Sequence, residues 1–496
     1  MTAEREVKLA ASPAFRMPSL TDLGEDVLSI PQEPVRLSTV YFDTTDFRLA
    51  RWGVSMRHRD GQGWTVKLPA DAQGDLLVRG EFVFPGEDAA YPPGEALDLL
   101  RAYVRTATLK AVVRLRTIRR PTRLLDLDER PLAEVVDDEV SVLSGRRIAA
   151  RFRELEVEIT DETPPELLDE VLGRLRAAGA GAPDPTPKYV RAVGPLATLA
   201  PEVVVGGKPT PATTVDEVVR RALAASALHL IRNDAVIRLD VDPEGVHQAR
   251  VATRRLRSDL RTFRDLVDPE WSMPLREELR WLGGALGEAR DADVLLERLQ
   301  GRAGTIPATE APGVAQVIDA LAQRRKEAHA SLLEALRTDR YVVLLDRVVE
   351  GARDPVMADG AEGSMRSALS SLLDRPWAHL RGAVKDAGSR PTDEQLHAIR
   401  IRAKRVRYAA EAVAPMLGKP AKRFAEAAAD LQTILGEHND AVVAEAWLRS
   451  WAAEGRSGDA AFAAGMLAGI ERAAAQTARD GWRKAWKAVA ATRGDM

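Results

Sequence analysis

"VHQARVATRRLR" at residues 246–257 and "LHAIRIRAKRVR" at residues 396–407 are two copies of one pattern in a chain of 496 residues. An offset of 150 positions places His247 on His397 and matches the basic positions that follow each histidine. Downstream, "LGEARDA" and "LGEHNDA" continue the repeat at nearly the same offset. Such a repeat predicts two equivalent halves, each with a basic helix and a later helix that carries the Leu-Gly-Glu motif.

Each copy has the period of an amphipathic helix. In the first copy, Val246, Ala249, Leu256 and Leu260 recur on one helical face and predict a buried stripe. The basic residues follow one position behind this stripe, so they line a single edge of the helix. Arginines at such a seam commonly cover apolar surface or make surface salt bridges. The alternative is an anion-binding ridge, because several like charges on one edge repel one another unless an anion lies between them.

The charge balance restricts the kind of partner. The chain has 71 Lys and Arg against 74 Asp and Glu, a net charge of −3, which argues against nucleic acid binding through overall charge. Any anion site must therefore be local. The absence of cysteine excludes disulfides and zinc-thiolate sites. With no signal sequence and no apolar run of about 18 residues, we expect a cytoplasmic protein with no membrane partner.

Two domains are expected from the length and from a change of pattern. Residues 1–195 contain short alternating segments such as "VVRLRTI" and "FRELEVEI", which predict strands. Residues 196–212 are rich in Pro, Gly and Thr and predict a linker. Residues 213–496 have the period of long helices. The predicted fold class is therefore α+β, with a β domain followed by an all-α domain.

Charged residues alternate in the predicted strands. In "EREVK", Glu4, Glu6 and Lys8 share one strand face, and similar alternation recurs in later segments. The solvated face of an ordinary antiparallel sheet would produce this pattern. So would a closed barrel with a polar lumen, in which carboxylates suit Mg²⁺ or Mn²⁺ and cations hold the phosphoryl oxygens of a linear triphosphate. In "VRLRTIRR", either Arg116 or Arg119 could face such a lumen.

The paired His-and-basic helices resemble the signature of the conserved-histidine α-helical, or CHAD, family. The resemblance covers about residues 213–496 and implies two pseudo-symmetric four-helix bundles with a basic cavity that binds inorganic polyphosphate. The residues that it assigns to polyphosphate are His247, Arg250, Arg254, Arg255, Arg257, His397, Arg400, Lys404, Arg405 and Arg407. Further candidates from a neighbouring helix are Lys419, Lys422 and Arg423.

Three segments, "EREVK", "YFDTTDFRLARWGVSMRHRDGQGWTVKLP" and "KYVRAV", resemble the CYTH, or triphosphate tunnel metalloenzyme, family. The resemblance implies an eight-stranded antiparallel β-barrel and metal-dependent chemistry on triphosphates. The residues that it assigns to Mg²⁺ or Mn²⁺ are Glu4, Glu6, Glu154, Glu156 and Glu158, with Glu4, Glu6 and Lys8 as candidates for catalysis. The residues that it assigns to phosphate are Lys8, Arg57, Arg59, Lys67, Arg114, Arg116, Lys188 and Arg191.

Together the two resemblances predict a metal-dependent hydrolase of inorganic triphosphate, polyphosphate or an organic triphosphate, joined to a polyphosphate-binding domain. A non-catalytic polyphosphate-binding protein that targets polyphosphate granules is the alternative, and an adenylyl cyclase is a third. The acidic set favours the enzyme, because a pure polyanion receptor does not need carboxylates beside its ligand. The sequence leaves the substrate and the oligomeric state open.

Overall fold

The computed structural model describes residues 2–24, 26–69, 77–207, 210, 213–358 and 372–494, without the side chains of residues 2–4 and 77–79. The chain divides into one compact unit of residues Met1–Glu202 and a second of residues Val203–Met496. The first unit is built around one β-sheet and the second is helical, which confirms the predicted α+β class.

The sheet of the first unit closes on itself. Its strands are β1 (Thr2–Ala11), β2 (Leu28–Pro31), β3 (Val35–Asp43), β4 (Ser55–Arg59), β5 (Gly63–Pro69), β6 (Leu77–Phe84), β7 (Lys110–Leu125), β8 (Pro131–Ser144) and β9 (Arg147–Ile159). The pairing order is β7-β3-β4-β5-β6-β1-β9-β8, and β8 pairs in turn with β7. All these pairs are antiparallel, so the described strands confirm the eight-stranded barrel. The ninth strand, β2, pairs with the end of β7 that β3 leaves free.

Four helices accompany the barrel: α1 (Arg48–Arg51), α2 (Gly94–Val104), α3 (Pro165–Ala177) and α4 (Lys188–Val193). Helix α3 covers the outside of β1 and β9, where Val7 and Val157 pack against Val171 and Leu175. Because side chains alternate along a strand, Glu6 then points into the barrel. Both faces of these strands are therefore buried, with apolar residues outside and charges inside.

Helix α4 fills one end of the barrel. Apolar side chains of β7 and β8, among them Val113 and Val140, pack there against Tyr189 and Val190. The Tyr189 ring stacks on Tyr41 with centroids 5.0 Å apart, and its hydroxyl donates to the Val54 carbonyl at 2.7 Å. The charged part of the lumen is consequently bounded on one side by a packed apolar plug.

The second unit contains nine described α-helices. They are α5 (Val215–Leu239), α6 (Glu244–Thr262), α7 (Pro269–Ala303), α8 (Ala311–Arg337), α9 (Asp339–Arg353), α10 (Asp374–Asp386), α11 (Asp393–Leu417), α12 (Lys419–Ala452) and α13 (Gly458–Gly494). The 150-residue offset maps α5–α8 onto α10–α13 in order, so the sequence repeat is a repeat of four helices. Helix α9 has no described counterpart and packs on α5. None of the described helices is both long and apolar enough to cross a membrane.

The two basic helices have the buried stripe that the sequence predicts. In α6, Val246, Ala249, Leu256 and Leu260 are all buried. The equivalent stripe of α11 is buried as well, and the two helices contact each other. The cationic edges that flank these stripes are thereby brought to the junction between the two halves of the helical unit.

Candidate functional site

Three carboxylates meet inside the barrel. Glu6 on β1 and Glu156 and Glu158 on β9 contribute oxygen atoms that all lie within 4.8 Å of one another. Strand pairing causes this meeting, because Glu6 lies opposite Glu158 and Lys8 lies opposite Glu156 in the register of β1 with β9. Glu6 and Glu156 are buried, while the Glu158 side chain keeps 32% of its surface exposed. We refer to these three residues as the carboxylate cluster.

Two lysines neutralise part of this charge. The Lys8 ammonium contacts Glu156 and lies 3.0 Å from Glu6 Oε2, and the Lys188 ammonium lies 2.8 Å from both Glu156 Oε1 and Asp138 Oδ2. Burial on its own lowers the pKa of Lys8, but Glu156 and Glu6 raise that pKa above its ordinary value. The pKa of Lys188 is raised in the same way against burial, chiefly by Glu156. Both lysines therefore remain charged.

Arg119 is the lumen arginine of β7. It donates two hydrogen bonds to Asp138, at 3.1 and 2.8 Å, and one to Glu156 at 2.7 Å. Burial raises the pKa of Glu156, but Lys188, Lys8 and Arg119 outweigh it and hold that pKa well below its usual range. Three cations thus share one buried carboxylate.

Arg114 and Arg116 do not face the lumen, contrary to the placement expected for them. Both are exposed, and they alternate with the buried residues Val113 and Leu115, which pack in the apolar end of the barrel. Strand parity then puts Arg119, two positions after Thr117, on the inner face. Of the two arginines that the sequence left open for this strand, the lumen residue is therefore the later one.

The opposite wall of the lumen carries further cations. Arg57 Nη2 donates to Glu81 at 3.3 Å, and Lys67 Nζ lies 3.5 Å from the same carboxylate. Arg59 is buried and donates to Thr39 at 3.3 Å. Burial, and then repulsion by Arg57, lower the pKa of Arg59 to about 10. Arg57 and Lys67, but not Arg59, face a cavity of about 50 Å³, which is lined by Lys8, Tyr41, Ser55, Arg57, Lys67, Arg119, Glu156, Glu158, Pro187, Lys188 and Tyr189.

Two expected residues lie outside this group. Arg191 pairs with Asp184 at 2.7 Å and stacks over the Phe152 ring at 5.4 Å, so it does not line the cavity. The Glu4 side chain lies outside the described residues, although its backbone pairs with Arg79 on β6. The structure therefore places the Glu4 backbone in β1, and the role of its side chain in metal binding stays a prediction.

The carboxylate cluster fits a hard divalent cation. Its donors are oxygens alone, which suits Mg²⁺ or Mn²⁺ and excludes a soft thiolate site. Next to it, Glu154 is fully buried, with Oε1 3.1 Å from Lys188 and with Oε2 accepting no hydrogen bond among the described residues. A buried carboxylate oxygen without a donor is costly, and a cation nearby would relieve that cost. Glu6, Glu156 and Glu158 are the residues that would hold the ion.

Some residues of the lumen were not assigned a role from the sequence. Asp138 and Glu81 each contact two of the cavity cations, and strand alternation with charged neighbours is the signal that marks them. Tyr41 carries no such signal, because an aromatic residue in a strand is usually part of a core. Only the closed barrel shows that Tyr41 lines the charged cavity.

The helical unit has a second cationic site, which we call the ridge cluster: Arg250 and Arg254 of α6 with Arg400 and Lys404 of α11. Burial lowers the pKa of Lys404 most, and the three arginines lower it further, to about 6. Arg254 also donates to the Tyr408 hydroxyl at 2.6 Å. Of the charges that act most strongly on Lys404, three are arginines and one is the carboxylate of Asp440, so positive charge exceeds negative charge around this lysine.

The Leu-Gly-Glu motifs support the ridge arginines. A Cβ at Gly287 would come 3.8 Å from Arg250 Nη2, and a Cβ at Gly436 would come 3.6 Å from Arg400 Nε. In both halves the glycine thus lets a guanidinium lie against the neighbouring helix. Asp291 of the first motif pairs with Arg250 at 3.0 Å.

The two histidines lie near the N-terminal ends of α6 and α11, on the same edges as the basic residues that follow them. His397 Nδ1 donates to Asn439 Oδ1 at 2.6 Å and is exposed. His247 is partly buried, and burial followed by Arg290 lowers its pKa below the ordinary histidine value. Neither imidazole has a described carboxylate within ion-pair distance, so both are open to an anion.

The other expected residues of the helical unit are dispersed. Arg255 and Arg407 both bind Glu411, the second at 2.7 Å. Arg257 lies over Gly283, where an added Cβ would come 3.6 Å from its Nη1. Arg405 lines a different cavity, and Lys419, Lys422 and Arg423 are exposed near the start of α12.

Comparison with known proteins gives the family. The chain matches the model of the CYTH domain over residues 2–189 and that of the CHAD domain over residues 221–449. The uncharacterized protein MT2285 of Mycobacterium tuberculosis (strain CDC 1551 / Oshkosh) is 32% identical over 483 residues, which cover 92% of this chain and 90% of that protein.

Two solved structures resemble part of the chain. PptA from Streptomyces chartreusis has 24% identity and a TM-score of 0.47, over 55% of this chain and 100% of that one. The CHAD domain from the plant Ricinus communis has 26% identity and a TM-score of 0.47, over 56% of this chain and 92% of that one. With both family models matched in sequence and a relative similar along most of its length, the chain belongs to the family in which a CYTH domain precedes a CHAD domain.

Proposed function

We propose that the barrel unit is a metal-dependent hydrolase of the terminal phosphoanhydride bond of a triphosphate, and that the helical unit binds inorganic polyphosphate. The observation that carries the proposal is the carboxylate cluster, whose oxygens lie within 4.8 Å of one another and two of whose members, Glu156 and Glu158, line the cavity with the cations. Buried carboxylates would only repel the phosphates in a pure receptor. They are useful where a divalent cation must be held beside a phosphate chain.

The residues of the barrel have separable roles in this reaction. When bound, Mg²⁺ or Mn²⁺ would neutralise phosphate oxygens and orient the attacking water. Arg57 and Lys67 would bind the phosphates from the opposite wall. Lys8, Lys188 and Arg119 lie on the cluster side of the cavity, where they would neutralise charge as the terminal phosphoryl group leaves.

The apolar plug bears on which part of a substrate can react. Because α4 packs into one end of the barrel through Tyr189 and Val190, a phosphate chain would enter from the other side, terminal phosphate first. This supports inorganic triphosphate, an organic triphosphate or the end of a polyphosphate chain as the substrate, rather than bonds in the middle of a long chain.

The proposed ligand of the helical unit follows from the ridge cluster. Burial, and then the charges of Arg254, Arg400 and Arg250, depress the pKa of Lys404, and a linear polyanion would relieve the repulsion among these cations. The affinity should fall steeply with salt, because several phosphates exchange counterions for protein charges. Duplex DNA should bind far more weakly, since a rigid duplex does not enter a cavity between helices.

The proposal is tested by measuring phosphate release from inorganic triphosphate, long-chain polyphosphate, ATP and thiamine triphosphate, each with Mg²⁺, Mn²⁺ or a chelator. We expect metal-dependent release from at least one short-chain substrate. An assay for cyclic AMP on the ATP reactions tests the cyclase alternative. Absence of both products from every substrate would contradict the catalytic proposal.

A non-catalytic receptor is the second candidate, and one observation favours it. Glu156 is already shared by Lys8, Lys188 and Arg119, so the cluster is partly neutralised by the protein itself. A receptor of this kind would bind triphosphate equally well with metal or with chelator. The hydrolase requires that metal strengthen binding, which equilibrium dialysis with inorganic triphosphate measures.

A further inference from the structure

A large cavity in the helical unit shares no lining residue with the ridge cluster. It has a volume of about 470 Å³ and lies among α6, α7, α10 and α11. Its cationic lining consists of Arg261, Arg264, Arg276, Arg375, Arg402 and Arg405. Leu266, Leu372 and Pro376 supply an apolar part of the wall. A cavity of this size with convergent charges and an apolar wall has the properties of a small-molecule site.

The arginines of this cavity are poorly compensated. In the described part of the chain, Arg261, Arg276, Arg375 and Arg405 form no ion pair with a carboxylate, and the one acidic group in the wall, Asp265, is mostly exposed. Burial, and then Arg405 and Arg276, lower the pKa of Arg261 to about 10. Such a concentration of like charge is unfavourable in the protein alone and becomes favourable when an anion enters.

The internal repeat provides a comparison within the molecule. The equivalent cavity in the other half, about 390 Å³, is lined by Val205 and by residues of α5, α6 and α11, most of which are offset by 150 from residues that line the basic cavity. There the counterpart of Arg261 is Glu411, that of Arg375 is Ala225 and that of Arg402 is Ala252. The fold therefore makes this cavity twice, but the sequence makes only one copy strongly basic. Packing does not demand the arginines.

We propose that the basic cavity binds a nucleoside triphosphate. The arginines would bind the phosphates, and Leu266, Leu372 and Pro376 would contact the base, on which an arginine can also stack. Inorganic polyphosphate would satisfy the arginines equally well but would gain nothing from the apolar wall. This site is additional to the phosphate sites proposed for the barrel and the ridge cluster.

The test is photolabelling of the full chain with 8-azido-ATP in the presence of a chelator, followed by peptide mapping. We expect label in peptides that contain Leu372 or Pro376. ATP should displace that label at a concentration at least about tenfold lower than inorganic triphosphate does, because only ATP contacts the apolar wall. Label confined to residues 1–202, or equal displacement by the two competitors, would overturn the proposal.

Matched variants give the second measurement. Arg261→Gln combined with Arg405→Gln should reduce labelling of the cavity about tenfold or more, because two charge-assisted contacts are lost. Arg221→Gln makes one such change in the repeat-related cavity and should leave labelling intact, whereas Arg261→Gln alone should already reduce it. The double variant should melt no lower than the wild type, since it removes uncompensated charge. Undiminished labelling in a folded double variant would also overturn the proposal.

Discussion

Glu158→Gln is the sharpest test of the carboxylate cluster, because it removes charge with little damage to the fold. The Glu158 side chain is 32% exposed, and its Oε1 lies 3.9 Å from Arg119 Nη1, which is long for an ion pair. An ion pair of this kind contributes about 1 kcal/mol or less to stability. The variant should therefore fold normally, with a thermal midpoint within a few degrees of the wild type.

The effect on metal affinity is much larger. At 4.8 Å, the upper limit of the separations within the cluster, two carboxylates repel by about 3.5 kcal/mol at an effective dielectric constant near 20. Glu158→Gln abolishes two of the three pairwise repulsions, those of Glu158 with Glu6 and with Glu156. It therefore removes about 7 kcal/mol of repulsion whose relief by a divalent cation favours metal binding in the wild type. Lys8 and Arg119 already offset part of this, and solvent screens Glu158. The net loss in the free energy of metal binding is then about 2–3 kcal/mol, so roughly a 100-fold higher metal concentration should be needed for half-maximal activity.

The assay is phosphate release as a function of Mg²⁺ or Mn²⁺ concentration at saturating substrate. Glu134→Gln is the matched control, because Glu134 lies opposite Glu158 on β8, is 31% exposed and pairs with Arg123 rather than with the cluster. The control should keep the wild-type metal dependence. Identical metal curves for the two variants would refute the assignment of Glu158 to the metal.

The remaining predictions concern charge inside each unit. Glu156→Gln leaves Lys8, Lys188 and Arg119 without their shared carboxylate, so urea unfolding should show a loss of about 3–5 kcal/mol. Because the folded pKa of Glu156 is depressed, this difference should be complete above about pH 5 and shrink as the pH falls further. Lys404→Gln should raise the thermal midpoint while weakening polyphosphate binding, because burial of this amine among three arginines costs stability in the free protein, whereas bound polyphosphate would favour its charged form. Polyphosphate raises the depressed pKa of Lys404, so calorimetry in buffers of different ionisation enthalpy at pH 7.5 should show proton uptake by the wild type that this variant lacks.

Much of the helical unit could be predicted from the sequence, because the pattern of apolar residues within each helix is local and occurs twice. The period of Val246, Ala249 and Leu256 gives the buried face of α6, and the 150-residue offset gives the second half. What the sequence could not supply is which arginines converge. Arg254 and Arg405 belong to matching motifs, yet one joins the ridge cluster and the other lines the basic cavity. That separation depends on how α6 and α11 pack.

The barrel shows the limit of alternation as a guide. Parity within a strand correctly places Glu6 and Lys8 on one face, and Glu156 and Glu158 on one face. It does not say which of the two faces points inward in a strand such as β7. There the apolar plug, formed by residues distant in sequence, places Val113 and Leu115 inside and so turns Arg114 and Arg116 outward.

The two phosphate sites differ in how their cations are compensated, and this determines how each should respond to metal. In the barrel, carboxylates hold the pKa of Lys8 and Lys188 above the ordinary lysine value. In the ridge cluster, burial and neighbouring arginines lower the pKa of Lys404 to about 6. A phosphate chain that enters the barrel must compete with the buried Glu156 for its cations. At the ridge cluster, the carboxylate that pairs with one of the described cations is Asp291, on Arg250, and its side chain is 65% exposed. Binding at the ridge should therefore persist in chelator, and binding in the barrel should require the divalent ion that occupies its carboxylates.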